Sequence, residues 1–297
     1  APVNGHPRAP VARYALAATT ALRGTGAVAL SRDADLDAVL AESGGDEAVG
    51  AARRLYAPAM TALEAAGVPR ARVLSLSVFT TGDPTSEFFR AADWLRSEGP
   101  QPRLIDIDAG TAGDGFITFR GHYGPNPVFQ SGAAPYGEIG SGDFVPDAQG
   151  IPRPQGTEDI RFVLTVPTNR TRPAGGWPIA IYAHGTGGNA SSFVSDRTAA
   201  APAAQGIATL GFAQIFHGER ATPGTSPDTA FFNFTNPFAG RTNNRQAALD
   251  LVQCGRFVRA LTFVVPWETG PVTERCDPAQ VFFHGRSQGG LNGPLWL

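Results

Sequence analysis

Apolar residues recur at helical spacing in one part of the chain and at strand spacing in another, and the change separates two regions. Between Asp46 and Ala66, the residues Val49, Ala52, Tyr56, Met60 and Leu63 return every three or four positions, and Gly67 and Pro69 follow where a helix has to stop. Asp35 to Leu40 reads as a shorter helix, and Tyr14 to Thr19 and Arg72 to Thr80 read as strands. Asp83-Pro84-Thr85 opens a further helix, with Pro84 at its first position and Phe88, Phe89, Ala92 and Leu95 on one face; Gly99-Pro100 ends it. Residues 1-100 are therefore expected to form a small accessory α+β domain with no evident chemistry.

From residue 101 the pattern is different. Phe116 to Phe119 is a short strand, followed by a Gly- and Pro-rich stretch from Gly121 to Gly156 that is expected to wrap a surface. Ile160 to Val166 alternates as a strand. Trp177 to Ala183 is continuously apolar, as in a strand buried on both faces of a parallel sheet. A helix over Ser191 to Gln205, a strand over Ile207 to Phe216, an irregular Pro-, Phe- and Asn-rich insert over 218–243, a helix over Asn244 to Leu261 and a strand over Gln280 to His284 complete the series. Strands alternating with helices predict an α/β fold, a mostly parallel sheet with helices on its faces, over residues 101-297.

Composition narrows the chemistry. All 24 basic residues are Arg, so no lysine is present for a Schiff base or a Walker-type phosphate clamp. A formal charge of −2, with the arginines scattered, gives no electrostatic footprint for nucleic acid. No apolar run approaches the roughly 20 residues of a membrane span, and the polar opening Ala1-Pro2-Val3-Asn4 is not a signal peptide. The two cysteines, Cys254 and Cys276, fit no redox or zinc spacing. One structural disulfide is expected, which suits an exported protein; two buried free thiols are the alternative.

Two glycine-rich strings carry the chemistry. Gly285-Arg286-Ser287-Gln288-Gly289-Gly290 directly follows the apolar strand Val281-Phe282-Phe283. A strand that turns this sharply into a helix strains the residue at its apex, and the positions two before and two after have no room for side chains. Gly285 and Gly289 meet that demand, which makes Ser287 the candidate nucleophile. The second string, His184-Gly185-Thr186-Gly187-Gly188, ends an earlier strand. Acyl transfer needs two backbone N–H donors aimed at the developing oxyanion. Gln288, next after the nucleophile, and Thr186, where Gly185 and Gly187 let the backbone approach closely, are the candidates for that hole.

These strings, with Ile179 to Ala183 ahead of the first and His284 ahead of the second, resemble the α/β-hydrolase superfamily. The string Ser77-Val78-Phe79-Thr80-Thr81, upstream of such a domain, resembles large exported bacterial lipases with an N-terminal accessory domain. The resemblance implies a secreted or cell-surface, outer-membrane-associated serine esterase or lipase that acts on a small-molecule or lipid ester and needs no cofactor. An acyltransferase using the same site, or a hydrolase-like binding module without catalysis, would share these strings.

One departure from the pattern shapes the rest. In this superfamily an acid and a histidine follow the nucleophile, whereas His6, His122, His184, His217 and His284 all precede Ser287. His184 belongs to the oxyanion loop, and His217 is read as structural or pocket-lining. The histidine and acid are therefore expected from polypeptide beyond Leu297 or from a second chain, so that the residues here are only the N-terminal part of the hydrolase domain. Such polypeptide would also cover the strand Val281 to Phe283 and Trp296. Phe231, Phe232, Phe234 and Phe238 in the insert either line an acyl pocket or form the insert's own core. Asp106, Asp108 and Asp114 lack the loop spacing of a calcium site and read as a solvated turn.

Overall fold

The computed structural model describes residues 8–113 and 115–296; His6, Asp114 and Leu297 lie outside them. Two compact units divide between Thr85 and Ser86. In the first, strands β1 (Arg13–Thr19) and β2 (Val73–Thr80) pair antiparallel, with helices α1 (Ala34–Leu40) and α2 (Glu47–Ala65) between them in the chain. Asp33 and Asp46 cap the two helices by accepting backbone N–H bonds from Asp35 and Val49. Leu40, Met60, Val73 and Leu76 form the core of this unit.

The second unit opens with α3 (Ser86–Ser97), which starts two residues after Pro84. Its buried stripe is Phe88, Ala91, Ala92 and Leu95, while Phe89 points outward. Next come strands β3 (Arg103–Ile107), β4 (Thr111–Ala112), β5 (Phe116–Val128), β6 (Gly156–Pro167) and β7 (Trp177–Ala183), then short helices α4 (Ser192–Ser195) and α5 (Ala200–Ala204). Strand β8 (Ala208–Phe212), helices α6 (Pro227–Phe232) and α7 (Pro237–Ala260), strands β9 (Thr262–Trp267) and β10 (Gly270–Gly285), and helix α8 (Gln288–Asn292) follow. The eight strands β3 to β10 make one sheet in the order β3-β5-β6-β8-β7-β10-β9, with β4 on β5.

The sheet is mixed rather than mostly parallel. Parallel pairing is confined to β8-β7-β10, with Ile179 opposite both Ala208 and Val281, and Ala183 opposite Gly285. The strand over Phe116 to Phe119 runs on to Val128 and pairs antiparallel with β6 along its length, so the first part of the Gly- and Pro-rich stretch is sheet. The helix foreseen over Ser191 to Gln205 is broken in two at Arg197, whose φ of 66° is left-handed.

Helices cover both faces of the sheet, as its two apolar faces require. Phe162, Leu164, Ile181, Leu210 and Phe212 pack against Leu251, Cys254, Phe257 and Val258 of α7. Val163 and Tyr182 pack on the other face against Ala190, Phe193 and Ala199. Burial of each such Leu, Ile or Phe side chain contributes roughly 1.5–3 kcal/mol.

Helix α7 also buries polar residues, because the irregular segment after β5 has backbone groups that no strand pairs. Gln246 accepts from the Phe129 N–H at 2.8 Å and donates to the Pro127 carbonyl at 3.0 Å. The Asn236 amide donates to the carbonyls of Tyr136, Glu138 and Ser141. Asp250, fully buried, accepts from Asn126, Gln246 and Arg220 at 2.8–2.9 Å, and Arg220 also pairs with Glu158.

Cys254 and Cys276 are free and buried, so the expected disulfide is not formed. Both side chains belong to the apolar core between the sheet and α7, and with the pair goes the support it lent to export. Burial pushes both thiols up to about 12. A thiol reagent at pH 8 is therefore expected to label neither cysteine in the native protein and both in denaturant; rapid native labelling contradicts this placement. Asp250→Ala leaves the buried Arg220 with Glu158 alone and takes the acceptor from Asn126 and Gln246, and is expected to cost ~3–5 kcal/mol, read as a shift in the denaturation midpoint.

Candidate active site

Three strands of one parallel register end at the same level, and the loops that leave them lie at the strand ends where α/β sheets bind ligands. From β10 comes the turn at Ser287, from β7 the loop His184 to Gly188, and from β8 the loop Ala213 to His217.

Ser287 has φ 50° and ψ −115°, outside the regions open to L-residues, a strain of about 1–3 kcal/mol. It is solvent-exposed at the start of α8. Tight packing of the turn holds it there. A Cβ on Gly285 would lie 2.6 Å from the Gly289 carbonyl oxygen, and one on Gly289 would lie 2.1 Å from that of Ala183. The Arg286 N–H donates to the Ala183 carbonyl at 3.0 Å, tying the turn to the end of β7.

The β7 loop lies directly against the serine. A Cβ on Gly185 would come within 3.1 Å of the Ser287 Cβ. The Thr186 hydroxyl donates to the Gln288 side-chain oxygen at 2.9 Å, bridging the two loops. Among the described residues, neither the Thr186 N–H nor the Gln288 N–H is matched with an acceptor. Gln288 is the first residue of α8, where the N–H is left over by helix geometry.

His184 and His217 are wholly buried behind this loop, their rings 4.9 Å apart. Backbone partners settle both tautomers. The Nε2 of His217 faces the Gly187 N–H at 3.0 Å, so it is an acceptor; its Nδ1–H donates to the Ile215 carbonyl at 2.8 Å. In His184, Nε2 accepts from the Gln214 N–H at 3.2 Å and Nδ1–H donates to the Gly185 carbonyl at 2.8 Å. The Gln214 side chain donates to the His184 carbonyl and accepts from Asn292, linking the ends of β7, β8 and α8. Burial lowers both imidazoles, that of His184 to about 4.

His217 therefore lines no open pocket, and its one lone pair is occupied. His284 is exposed and stacks edge-on to Tyr182. His122 lies between Asp106 and Glu219 at 2.9–3.0 Å. Burial opposes its charge, but the bonds to Glu219 and Asp106 outweigh it and raise its pKa. Among the described residues no histidine hydrogen-bonds the Ser287 hydroxyl.

The insert phenylalanines divide. Phe231 is buried with Ile215, Phe216 and Ala247, and Phe232 packs against that cluster. Phe234 is 89% exposed and stacks on Phe232, and Phe238 is exposed. Phe231 and Phe232 thus belong to the insert's own core, and Phe234 and Phe238 lie on its surface. Asp106 is engaged by His122, and Asp108 accepts from the N–H groups of Gly110 and Arg120. Among the described residues no three His, Cys, Asp or Glu side chains are grouped to hold a metal, and no helix is long and apolar enough to cross a membrane.

No family model and no curated protein matches the chain. Solved structures similar to it include a provisionally assigned acetyl xylan esterase from Bacteroides fragilis, at 11% identity and TM-score 0.42 over 71% of this chain and 48% of that one. An acetyl xylan esterase from a Paenibacillus species matches at 17% identity and TM-score 0.42 over 71% and 55%. A glucuronoyl esterase from Teredinibacter turnerae matches at 13% identity and TM-score 0.32 over 66% and 42%. The chain spans about half the length of the first two structures. With TM-scores below 0.5, function has to be argued from the site itself.

The two buried histidines make stability depend on pH in a stated direction. Their folded pKa values lie below the ordinary 6.5, so the unfolded chain binds more protons as pH falls through 6.5, and stability drops with it. From His184 alone the loss between pH 6.5 and about 4 is roughly 3 kcal/mol. His122, raised, acts oppositely: its contribution is present at low pH and lost as pH rises through its folded value. Denaturant midpoints measured from pH 7 down to 4.5 should therefore fall, and a flat profile would contradict neutral, buried imidazoles.

Proposed function

We propose that this chain carries the nucleophile half of an α/β-hydrolase, a serine carboxylic-ester hydrolase of the esterase or lipase type. The observation that carries the reading is the strained, exposed Ser287, set between a strand and a helix, with the Thr186 loop against it. A glycine-rich turn without a function has no need to hold a serine at φ 50°.

The chemistry follows from the geometry. The Ser287 hydroxyl attacks the ester carbonyl while a base takes its proton, and the carbonyl electrons move onto oxygen. The Thr186 and Gln288 N–H groups receive that oxyanion. Collapse expels the alcohol, which takes the proton back from the base, and leaves an acyl group on Ser287. Water, activated by the same base, then releases the acid and restores the serine. No step calls for a cofactor.

In this reading the base comes from polypeptide outside the described residues. His184 and His217 have their Nε2 lone pairs committed to backbone N–H groups, and His122 is held between two carboxylates. The sheet has a place for further chain. Residues Val281 to Gly285 pair with β7 on one side, whereas β9 reaches only Gly270 to Arg275 on the other. Among the described residues that second edge has no partner, and Phe282 on it is 49% exposed. Trp296 is half-buried against Phe283, so the open edge is not wholly bare. A further strand on this edge would bring its own loop to the crevice beside Ser287.

A fluorophosphonate probe on the full-length protein, followed by peptide mapping, tests the reading directly. Label is expected on Ser287, and Ser287→Ala should lose ester turnover by several orders of magnitude with its unfolding midpoint nearly unchanged. Absence of labelling together with wild-type turnover in the alanine variant would remove Ser287 from the mechanism.

A further inference from the structure

The two hydrogen bonds that pin the Thr186 peptide from behind carry a further consequence, which rests on the ester-hydrolase reading. We propose that His217 is a positioning residue for the oxyanion hole, acting as a neutral acceptor that fixes the loop peptide from which the Thr186 donor is aimed. It touches neither substrate nor nucleophile.

Two peptide planes flank Thr186. In a trans peptide the C=O and N–H point in opposite directions. The Gly185 carbonyl is held inward by the His184 Nδ1–H at 2.8 Å and the Gly188 N–H at 3.0 Å. Its partner across that peptide, the Thr186 N–H, must therefore point away from them. The next peptide is held by the Gly187 N–H on His217 Nε2 at 3.0 Å. Thr186 thus has a clamped peptide on each side, and its hydroxyl is fixed to Gln288. Gly187 sits at φ 78° with nothing within 4 Å of the place a Cβ would take. A glycine in open space is the point at which this loop would flip if the acceptor were lost.

Only the unprotonated Nε2 can do this, since an imidazolium would set N–H against N–H. The surroundings oppose protonation. The side chain is wholly buried, and the charged and titratable groups facing it are His184 at the end of β7, Arg220 in the turn Gly218–Arg220, and Asp228 of α6. Arg220 is kept charged by Asp250 and Glu158 and repels a proton on the imidazole, while Asp228 attracts one; burial, the largest influence, decides for the neutral form. Arg220 also donates to the Ala213 carbonyl at 3.0 Å, which holds the His217 loop in place.

The test compares two variants in the full-length enzyme. His217→Gln places an amide oxygen near the position of Nε2 and cannot titrate; His217→Leu fills the site and accepts nothing. His217→Leu is expected to lose kcat by about 10–100-fold, within the cost of one weakened oxyanion donor, with KM nearly unchanged. His217→Gln is expected to recover most of that loss. Equal kcat in the leucine variant and the wild type, or a change carried by KM, overturns the proposal. Should His217→Leu fail to fold, His217→Asn takes its place, because its shorter amide cannot reach the Gly187 N–H: a kcat equal to that of the wild type overturns the proposal. Ser287→Ala, assayed alongside, separates this outcome from failure of the hydrolase reading, because turnover that survives in that variant removes the oxyanion hole altogether.

Discussion

The parallel register of β10 on β7, which sets Gly285 beside Ala183, is the constraint on which the site depends. It brings two strand ends to the same level, so the loops that leave them lie side by side. Contact between those loops is then so close that Gly289 and Gly185 have no room for a Cβ free of clash or crowding. Backbone groups stand where side chains would otherwise keep them apart, and among the described residues the Thr186 and Gln288 N–H groups are left without acceptors. Strain at Ser287 is the cost of that approach, offset by the bond from Arg286 to Ala183 and by the buried glycine contacts behind it.

Behind the loops lies a layer of buried polar side chains, bonded partly to backbone and partly to one another. His184, His217, Gln214 and Asn292 link the ends of β7, β8 and α8, and Arg220 joins the same layer to α7 through Asp250. In a low-dielectric interior each of these bonds is costly to leave unmade. The crevice loops are thereby kept in one arrangement without relying on a substrate to order them. Preorganisation of this kind is what electrostatic stabilisation of an oxyanion requires. The same logic explains the polar face of α7. Its Asn and Gln residues answer the carbonyls and N–H groups of an irregular segment that would otherwise be buried unpaired.

Much of this was legible from residue pattern alone, for local reasons. The strand Trp177 to Ala183 reads directly from seven residues that are almost all apolar, and the turn at Ser287 from two glycines at fixed offsets after a strand. Helix α7 begins at Pro237 rather than at the expected Asn244, so the end of the insert is helical; Asn236 at the cap and Pro237 at the first helical position mark that start. The hairpin of β9 and β10 carries a weaker signal, because Thr262 to Trp267 is β-rich without alternating in sequence, although Gly270 follows it after a short turn.

Other features had no local signature. That β5 continues through Gly121, Gly124 and Pro125 is decided by β6 lying beside it, since a strand partner can hold residues whose own propensity is poor. Whether Cys254 meets Cys276 depends on how α7 lies on the sheet, and no spacing along the chain encodes that distance. The histidines show the division most plainly. Sequence determined that five were present and that all preceded Ser287; only the tertiary structure decided what engages the ring nitrogens of His122, His184 and His217. A tautomer is set by the groups that face the ring, and for His184 and His217 those groups are backbone atoms brought near by sheet register and loop packing.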